Sequence, residues 1–417
     1  MKRLLLFFLI LGFGQAAFAQ SSAFEQLKED PMKAYGTYYP YLFEMGELTP
    51  APKGYEPVYI SHYSRHGSRY AWNGKVYQEL DALLAEASEK NILTEAGKNF
   101  YKRFLDIKEE LTIGVGELTQ VGWEQLQKNA KVMHDRFEKL FADGGEVFAI
   151  SSMSRRCMLS MSAFCQELVQ CNPEIEIREQ TSRFTLDGVV PTDEENPYRR
   201  EIPQVKPRYE NNMSSFVKDT SMASKVLARM FTSTESLSGN LDAVAENLVD
   251  MYISLPSIGY EGLMEGLVTD EDVVAHWETA NLGSYSWVFS GQYQMIPILQ
   301  DIIKKADAVL DGSVDRKADL RFGHDSCLGP LTVLMGLNGA DLDPEDPYEV
   351  KNCYQNWQTC KAGNLQLVFY KSKKSGDVLV KCLLNGSEVT LPVETDSFPY
   401  YKWSDLRSVY LERCSRF

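Results

Sequence analysis

The chain has 417 residues, room for two domains or for one large domain with an insertion. Its 43 lysines and arginines stand against 58 aspartates and glutamates, a formal net charge of −15 that argues against non-specific binding to nucleic acid. An anionic substrate is not excluded, because a local group of arginines can dominate the field inside a cleft.

The first residues read Lys2-Arg3, then an apolar run from Leu4 to Phe13, then Ala17-Phe18-Ala19. A basic start, a short apolar core and a small-x-small site predict an exported protein with a signal peptide, residues 1–19, cleaved after Ala19. No later segment reaches the roughly 18 consecutive apolar residues of a membrane span, so the mature chain is expected to be periplasmic or secreted, without stable membrane insertion. Eight cysteines occur, and in an exported chain an even count fits disulfides. Cys353 and Cys360 are close enough in sequence to bridge a local loop. No CxxC pair is present, which argues against zinc clusters and thioredoxin-like chemistry.

Residues 21–55 are aromatic and turn-rich and predict a surface arm. The alternation Pro57-Val58-Tyr59-Ile60-Ser61 predicts a strand, and Ser64-Arg65-His66-Gly67-Ser68-Arg69-Tyr70 follows it directly. Two guanidiniums and an imidazole around a glycine suit a tetrahedral oxyanion: arginine grips phosphate with a fork of charged hydrogen bonds, and the histidine faces the phosphorus as a nucleophile. From Gln78 to Leu140 the pattern is mostly helical, broken at Gly114-Val115-Gly116 and reopened at Leu118-Thr119-Gln120-Val121-Gly122. His134, inside that helix, is expected to face solvent.

Glu146–Ile150 predicts a second strand, followed by a helix from about Ser154 to Gln170. On a 3.6-residue period Arg156, Ser160 and Phe164 share one face and Arg155 turns to another, so one arginine, not both, points into a cleft at the strand end. A third strand is expected at Glu174–Glu179. Residues 185–312 then show few strand signals and contain predicted helices at Ser221–Phe231, Leu241–Ile253 and Gln292–Leu310, which predicts a helical insertion domain; His276 there is expected to be a packing or surface residue. A short strand in Ala318–Gly323 leads to His324-Asp325, with Asp325 a natural helix N-cap, and a helix at Leu331–Leu337 with Pro330 in its first turn. Leu365–Tyr370 and Val378–Leu384 predict a hairpin across Lys373-Lys374-Ser375-Gly376, and Trp403–Cys414 a closing helix. The acidic loop Asp341–Asp346 has proline where a calcium loop needs glycine.

Strand-to-helix junctions thus carry Arg65, His66 and Arg69, then Arg156, then His324 and Asp325. In a parallel sheet all of them meet at the carboxyl edge. The runs Arg65-His66-Gly67-Ser68-Arg69-Tyr70 and His324-Asp325, the segment Ser151-Ser152-x-x-x-Arg156-Cys157, and Leu384-Asn385-Gly386-Ser387-Glu388-Val389 resemble the signatures of the histidine acid phosphatases, branch 2 of the histidine phosphatase superfamily. Within it the first motif and the arginine segment are most similar to the multiple inositol polyphosphate phosphatases. Those phosphatases usually carry histidine-alanine-glutamate at the second motif, whereas this chain has His324-Asp325-Ser326, which resembles the acid phosphatase and phytase pattern.

The resemblance implies an α/β fold, a mainly parallel central sheet flanked by helices, formed by residues 20–184 and 313–417 with the insertion at 185–312. It implies hydrolysis of phosphate monoesters, myo-inositol polyphosphates such as phytate among them, through a phosphohistidine on His66. Arg65, Arg69, Arg156 and His324 would hold the phosphate and Asp325 would donate the proton, without metal or other cofactor. A broad acid phosphatase, a 2,3-bisphosphoglycerate phosphatase, a mutase-like isomerase and a non-catalytic phosphoanion-binding protein are the alternatives. No GxxxxGK[ST] loop, HExxH helix or G-x-S-x-G elbow is present.

Overall fold

In the computed structural model, which describes residues 22–39, 46–71, 73–218, 221–238 and 240–416, strand β1 (Tyr55–Arg65) is buried without interruption from Tyr59 to Arg65. The predicted signal peptide lies outside the described residues. Continuous burial marks a strand covered on both faces, and the pairing agrees. Strands β2 (Gly145–Ser151), β3 (Ile175–Gln180) and β4 (Ala318–Gly323) join β1 in the parallel order β3-β2-β4-β1. On the other side of β1 the predicted hairpin, β5 (Asn364–Ser372) and β6 (Val378–Leu384), continues the sheet antiparallel. Two short strands, β7 (Ser387–Glu388) and β8 (Tyr401–Lys402), both pair with β6. The result is the expected α/β sheet, parallel in the half that carries the three junctions.

Helices precede and interleave the strands: α1 (Ala23–Glu29), α2 (Lys75–Glu89), α3 (Glu95–Ile113), α4 (Gln120–Arg136), α5 (Glu138–Phe141) and α6 (Arg155–Cys171). Then come α7 (Ser221–Met230), α8 (Leu241–Ser254), α9 (Asp270–Ser290), α10 (Ile296–Leu310), α11 (Asp325–Met335), α12 (Val350–Cys353) and α13 (Trp403–Cys414). Thr94 and Thr119 cap α3 and α4 through their hydroxyls. Period 2 along the strands splits the sheet into two cores. Tyr59 and Tyr63 face α10, α11 and α13, while Ile60, Val147 and Leu320 face α4 and α6. A further core joins α2 and α3 to α7, α8 and α9. Within the 185–312 span, therefore, α7 to α9 pack with helices from before it, and α10 packs on the sheet.

Several expectations shift. The arm before β1 is not superficial: Tyr35, in a 3₁₀ segment at Pro31–Tyr38, is buried in the helical core. The long helical stretch breaks twice more, at Lys90–Thr94, where Asn91 takes a positive φ of 55°, and at Phe137 between α4 and α5. His134 does not face solvent; its ring is 14% exposed and stacks on Phe141. Helix α11 starts six residues before Leu331, with His324 as N-cap and Asp325 as its first residue, and Pro330 lies inside it. All eight cysteines are free thiols, and the expected Cys353–Cys360 bridge is absent. Cys353 instead turns into its own helix, donating to the Val350 carbonyl at 3.3 Å, and the buried thiols act as small apolar core groups. No helix among the described residues is long and apolar enough to cross a membrane.

A buried ionic network underlies the sheet. Arg321, fully buried, reaches Asp301 at 2.6 Å and the Ser61 hydroxyl at 3.0 Å, and Lys305 reaches Asp301 at 2.9 Å. Removing the carboxylate leaves Arg321 without its ion-pair partner and Lys305 with only the longer contact to Asp319 at 3.6 Å, in a place water enters poorly. Asp301→Ala is expected to cost about 3 kcal/mol, the low end for a broken buried pair because the Asp301 side chain is 25% exposed. Urea unfolding followed by far-UV circular dichroism measures it, and a loss under about 1 kcal/mol would place this network among surface pairs.

Candidate active site

Because β2, β4 and β1 are parallel neighbours, their carboxyl ends share one edge, where open α/β sheets bind ligands. Arg65 is in register with Gly323, and Ser151 with Phe322. Past the strand ends the ladder continues: the His66 N–H donates to the Gly323 carbonyl and the Ser152 N–H to the Phe322 carbonyl, both at 3.0 Å. His66, His324 and Ser152 therefore leave adjacent strands at one level.

The loop after β1 is held by close backbone crossing. A Cβ on Gly67 would meet the Gly122 carbonyl oxygen at 2.3 Å, and one on Gly122 would meet the Ser68 oxygen at 2.2 Å. Glycine at both positions lets the start of α4 lie against the motif. Gly67 N–H then donates to the Ser160 hydroxyl at 3.1 Å, and that hydroxyl donates to the Arg156 carbonyl at 2.7 Å. Ser68 N–H donates to the Gln125 side chain at 2.9 Å. His66 Nδ1 lies 2.8 Å from the Gly67 carbonyl. A carbonyl only accepts, so Nδ1 carries the proton and Nε2 keeps its lone pair. Burial, then the charges of Lys361, Arg65, His324 and Arg156, hold the His66 imidazole well below the usual histidine range. It is a neutral base even in acid.

Arg65 is 1% exposed. Its Nη1 donates to the carbonyls of Thr37, at 3.0 Å, and Thr359, at 2.7 Å, and its Nη2 pairs with Asp325 at 2.9 Å. Arg69 Nη1 donates to the Tyr70 carbonyl at 2.8 Å. Arg156 Nη2 donates to His324 Nδ1 at 3.4 Å, while Arg155 is exposed and paired with Glu117. The Nε atoms of Arg65, Arg69 and Arg156, and Nζ of Lys361, are buried and find no acceptor among the described residues. Native proteins rarely leave buried donors unmatched. Cationic donors gathered around one imidazole suit an anion with several oxygens.

His324 Nε2 lies 3.0 Å from the Ser152 hydroxyl, and the His66 and His324 rings meet edge to face at 5.6 Å. Burial and the Arg156 guanidinium push His324 down to about 4. Asp325 accepts the Ser326 N–H at 3.1 Å on its other oxygen. Burial alone would raise its pKa, but Arg65, Lys361, His324 and Arg69 outweigh that and hold the carboxyl well below its usual range. Arg65, His66, Arg69, Arg156, His324 and Asp325 are thus placed around one point. Sequence reasoning passed over Lys361, the Thr37 and Thr359 carbonyls, Ser152 and Gln125 as site groups. The signal available for Lys361 was a lone lysine amid Cys360, Ala362 and Gly363, just before a strand that pairs with β1. Among the described residues no cluster of three or more histidine, cysteine or acidic side chains could hold a metal ion.

The chain is thus an α/β sheet with arginines and histidines at its parallel carboxyl edge and helices on both faces. Residues 63–242 match the family model of the histidine phosphatase superfamily (branch 2), a span that holds the first motif and the arginine segment, as their wording in the sequence implied. Comparison with curated proteins gives no match. Among solved structures, the chain is similar to the multiple inositol polyphosphate phosphatase of Bifidobacterium longum in complex with inositol hexasulfate, at 19% identity over 90% of this chain and 97% of that one, TM-score 0.67. It is also similar to the phytase of D. castellii, at 16% identity over 97% and 90%, TM-score 0.68. A third is the phytase of Citrobacter braakii, at 13% identity over 87% and 100%, TM-score 0.56.

Proposed function

We propose that the protein is a phosphomonoesterase that hydrolyses myo-inositol polyphosphates such as phytate through a phosphohistidine on His66, acting outside the cytosol after loss of residues 1–19. The observation that carries the reading is the Arg65–Asp325 pair at 2.9 Å, which sets a carboxyl group within reach of an anion held beside His66. Likeness in fold to an enzyme solved with inositol hexasulfate supports the substrate class.

Arg65, Arg69, Arg156 and His324 bind the scissile phosphate and neutralise charge on its equatorial oxygens. His66 Nε2 attacks phosphorus in line as the ester P–O bond breaks, and Asp325 protonates the departing alkoxide. The Asp325 carboxylate next takes a proton from water, whose oxygen attacks the phosphohistidine and releases phosphate. In the free site Asp325 is ionised. A bound phosphate dianion takes over Arg65 and adds negative charge, and both effects raise the carboxyl pKa so that it holds the proton it must donate.

The sign of the pH dependence follows. The depressed pKa of His66 keeps the nucleophile neutral in acid, and acid also favours protonated Asp325. Phosphate release is expected to peak below about pH 6 and to fall about tenfold by roughly pH 8. The test is a panel of phytate, 2,3-bisphosphoglycerate, sugar phosphates and p-nitrophenyl phosphate, with products resolved by position. Phytate is expected to lead in kcat/KM by about tenfold or more, and absence of release from every ester refutes the reading. The pattern His324-Asp325-Ser326 favours a second reading, a broad acid phosphatase, for which equal rates across the panel would speak.

A further inference from the structure

Lys361 has no task in this scheme, yet it sits at the centre of the site. Its residue is 1% exposed, its Nζ has no hydrogen-bond partner among the described residues, and it rests 4.5 Å from the centroid of the Tyr38 ring. The loop that carries it is fastened to the nucleophile's own strand. Ala362 N–H donates to the His66 carbonyl at 3.0 Å, and Arg65 N–H to the Gly363 carbonyl at 2.9 Å. Between them Ala362 holds a φ of 57°, a left-handed conformation unfavourable for a residue with a side chain and characteristic of segments shaped for function. Electrostatically Lys361 is coupled to Arg65, Arg69, Arg156, His66 and Asp325.

A lysine this buried is ordinarily paired. Here several cations share one carboxylate, and Asp325 is already engaged by Arg65. We propose that Lys361 is a further cationic contact of the bound phosphate, joining Arg65, Arg69 and Arg156 on its oxygens; this rests on the phosphatase reading and extends its binding set. Burial, with Arg65 and Arg69 beside it, pushes the amine well below the usual lysine range, against which Asp325 acts in the opposite direction. The charged form is thus disfavoured in the free site and favoured once the dianion enters, with the Tyr38 ring face holding the ammonium in place.

The test is calorimetric titration of orthophosphate into the mature parent protein and into Lys361→Met, near pH 6, in two buffers of different ionisation heat. The variant is expected to bind phosphate roughly 10- to 100-fold more weakly, and the proton uptake that accompanies binding should fall. Its melting temperature should equal or exceed that of the parent, since an apolar chain of similar length replaces an unpaired buried amine. A lysine with a structural role only would lower stability and leave proton uptake unchanged. If the methionine variant does not fold, Lys361→Gln carries the same titration. Equal affinity and equal uptake in a folded variant, with a parent that binds and releases phosphate, overturns the role of Lys361 alone. A parent that neither binds orthophosphate nor releases it from any ester overturns the phosphatase reading as well.

Discussion

Replacing His66 by alanine is expected to reduce phosphate release by on the order of 10⁴-fold or more, the scale on which covalent machineries lose activity when the nucleophile goes. The loss should be chemical and not structural. The backbone of His66 is held by its N–H on Gly323 and its carbonyl on Ala362, bonds that do not involve the imidazole, and Arg65, Arg69 and Arg156 keep their own partners. The variant should therefore still bind orthophosphate. Rapid quenching of the parent during turnover should trap phosphate on the protein in an acid-labile, base-stable form, as expected of a phosphoimidazole, and the variant should show none. Retention of more than about 1% of parent activity would remove His66 from the nucleophile's role.

How far the site could be read ahead of the structure depended on distance along the chain. Arg65, His66 and Arg69 stand together in sequence, and Arg156 separates from Arg155 by helical period alone. Even so, the alternation that announced β1 stopped at Ser61, whereas the strand runs to Arg65. His62, Ser64 and Arg65 are buried polar residues in a central strand and break the apolar pattern; of the three, Arg65 belongs to the site, while the His62 ring stacks on Phe164. The same conflict hid the start of α11, where the polar residues Asp325 and Ser326 open a helix whose apolar run begins later. Thr359 reaches Arg65 across almost 300 positions, and Thr37 reaches it from a segment whose turn-rich composition suggested a surface arm. Such contacts are products of sheet order, with β5 laid against β1, and no local period announces them.

Sheet order also makes the role of Asp325 separable from that of Arg65, and Asp325→Asn is the change that separates them. The amide keeps one oxygen, enough to accept from Arg65 or from Ser326 N–H but not from both, and the buried guanidinium, which also donates to Thr37 and Thr359, remains in place. What is lost is a transferable proton. With phytate, whose leaving alkoxide cannot depart unprotonated, kcat/KM should fall by about 10²- to 10⁴-fold. With p-nitrophenyl phosphate the phenolate leaves without help, so formation of the phosphohistidine should be affected far less. Its hydrolysis still needs the carboxylate as base. The variant should then release nitrophenol in a burst equal to the enzyme concentration, followed by a slow steady rate, and the phosphorylated protein should accumulate. Equal losses on both esters with no burst would mean that Asp325 serves only as a counter-charge to Arg65 and that the proton comes from elsewhere.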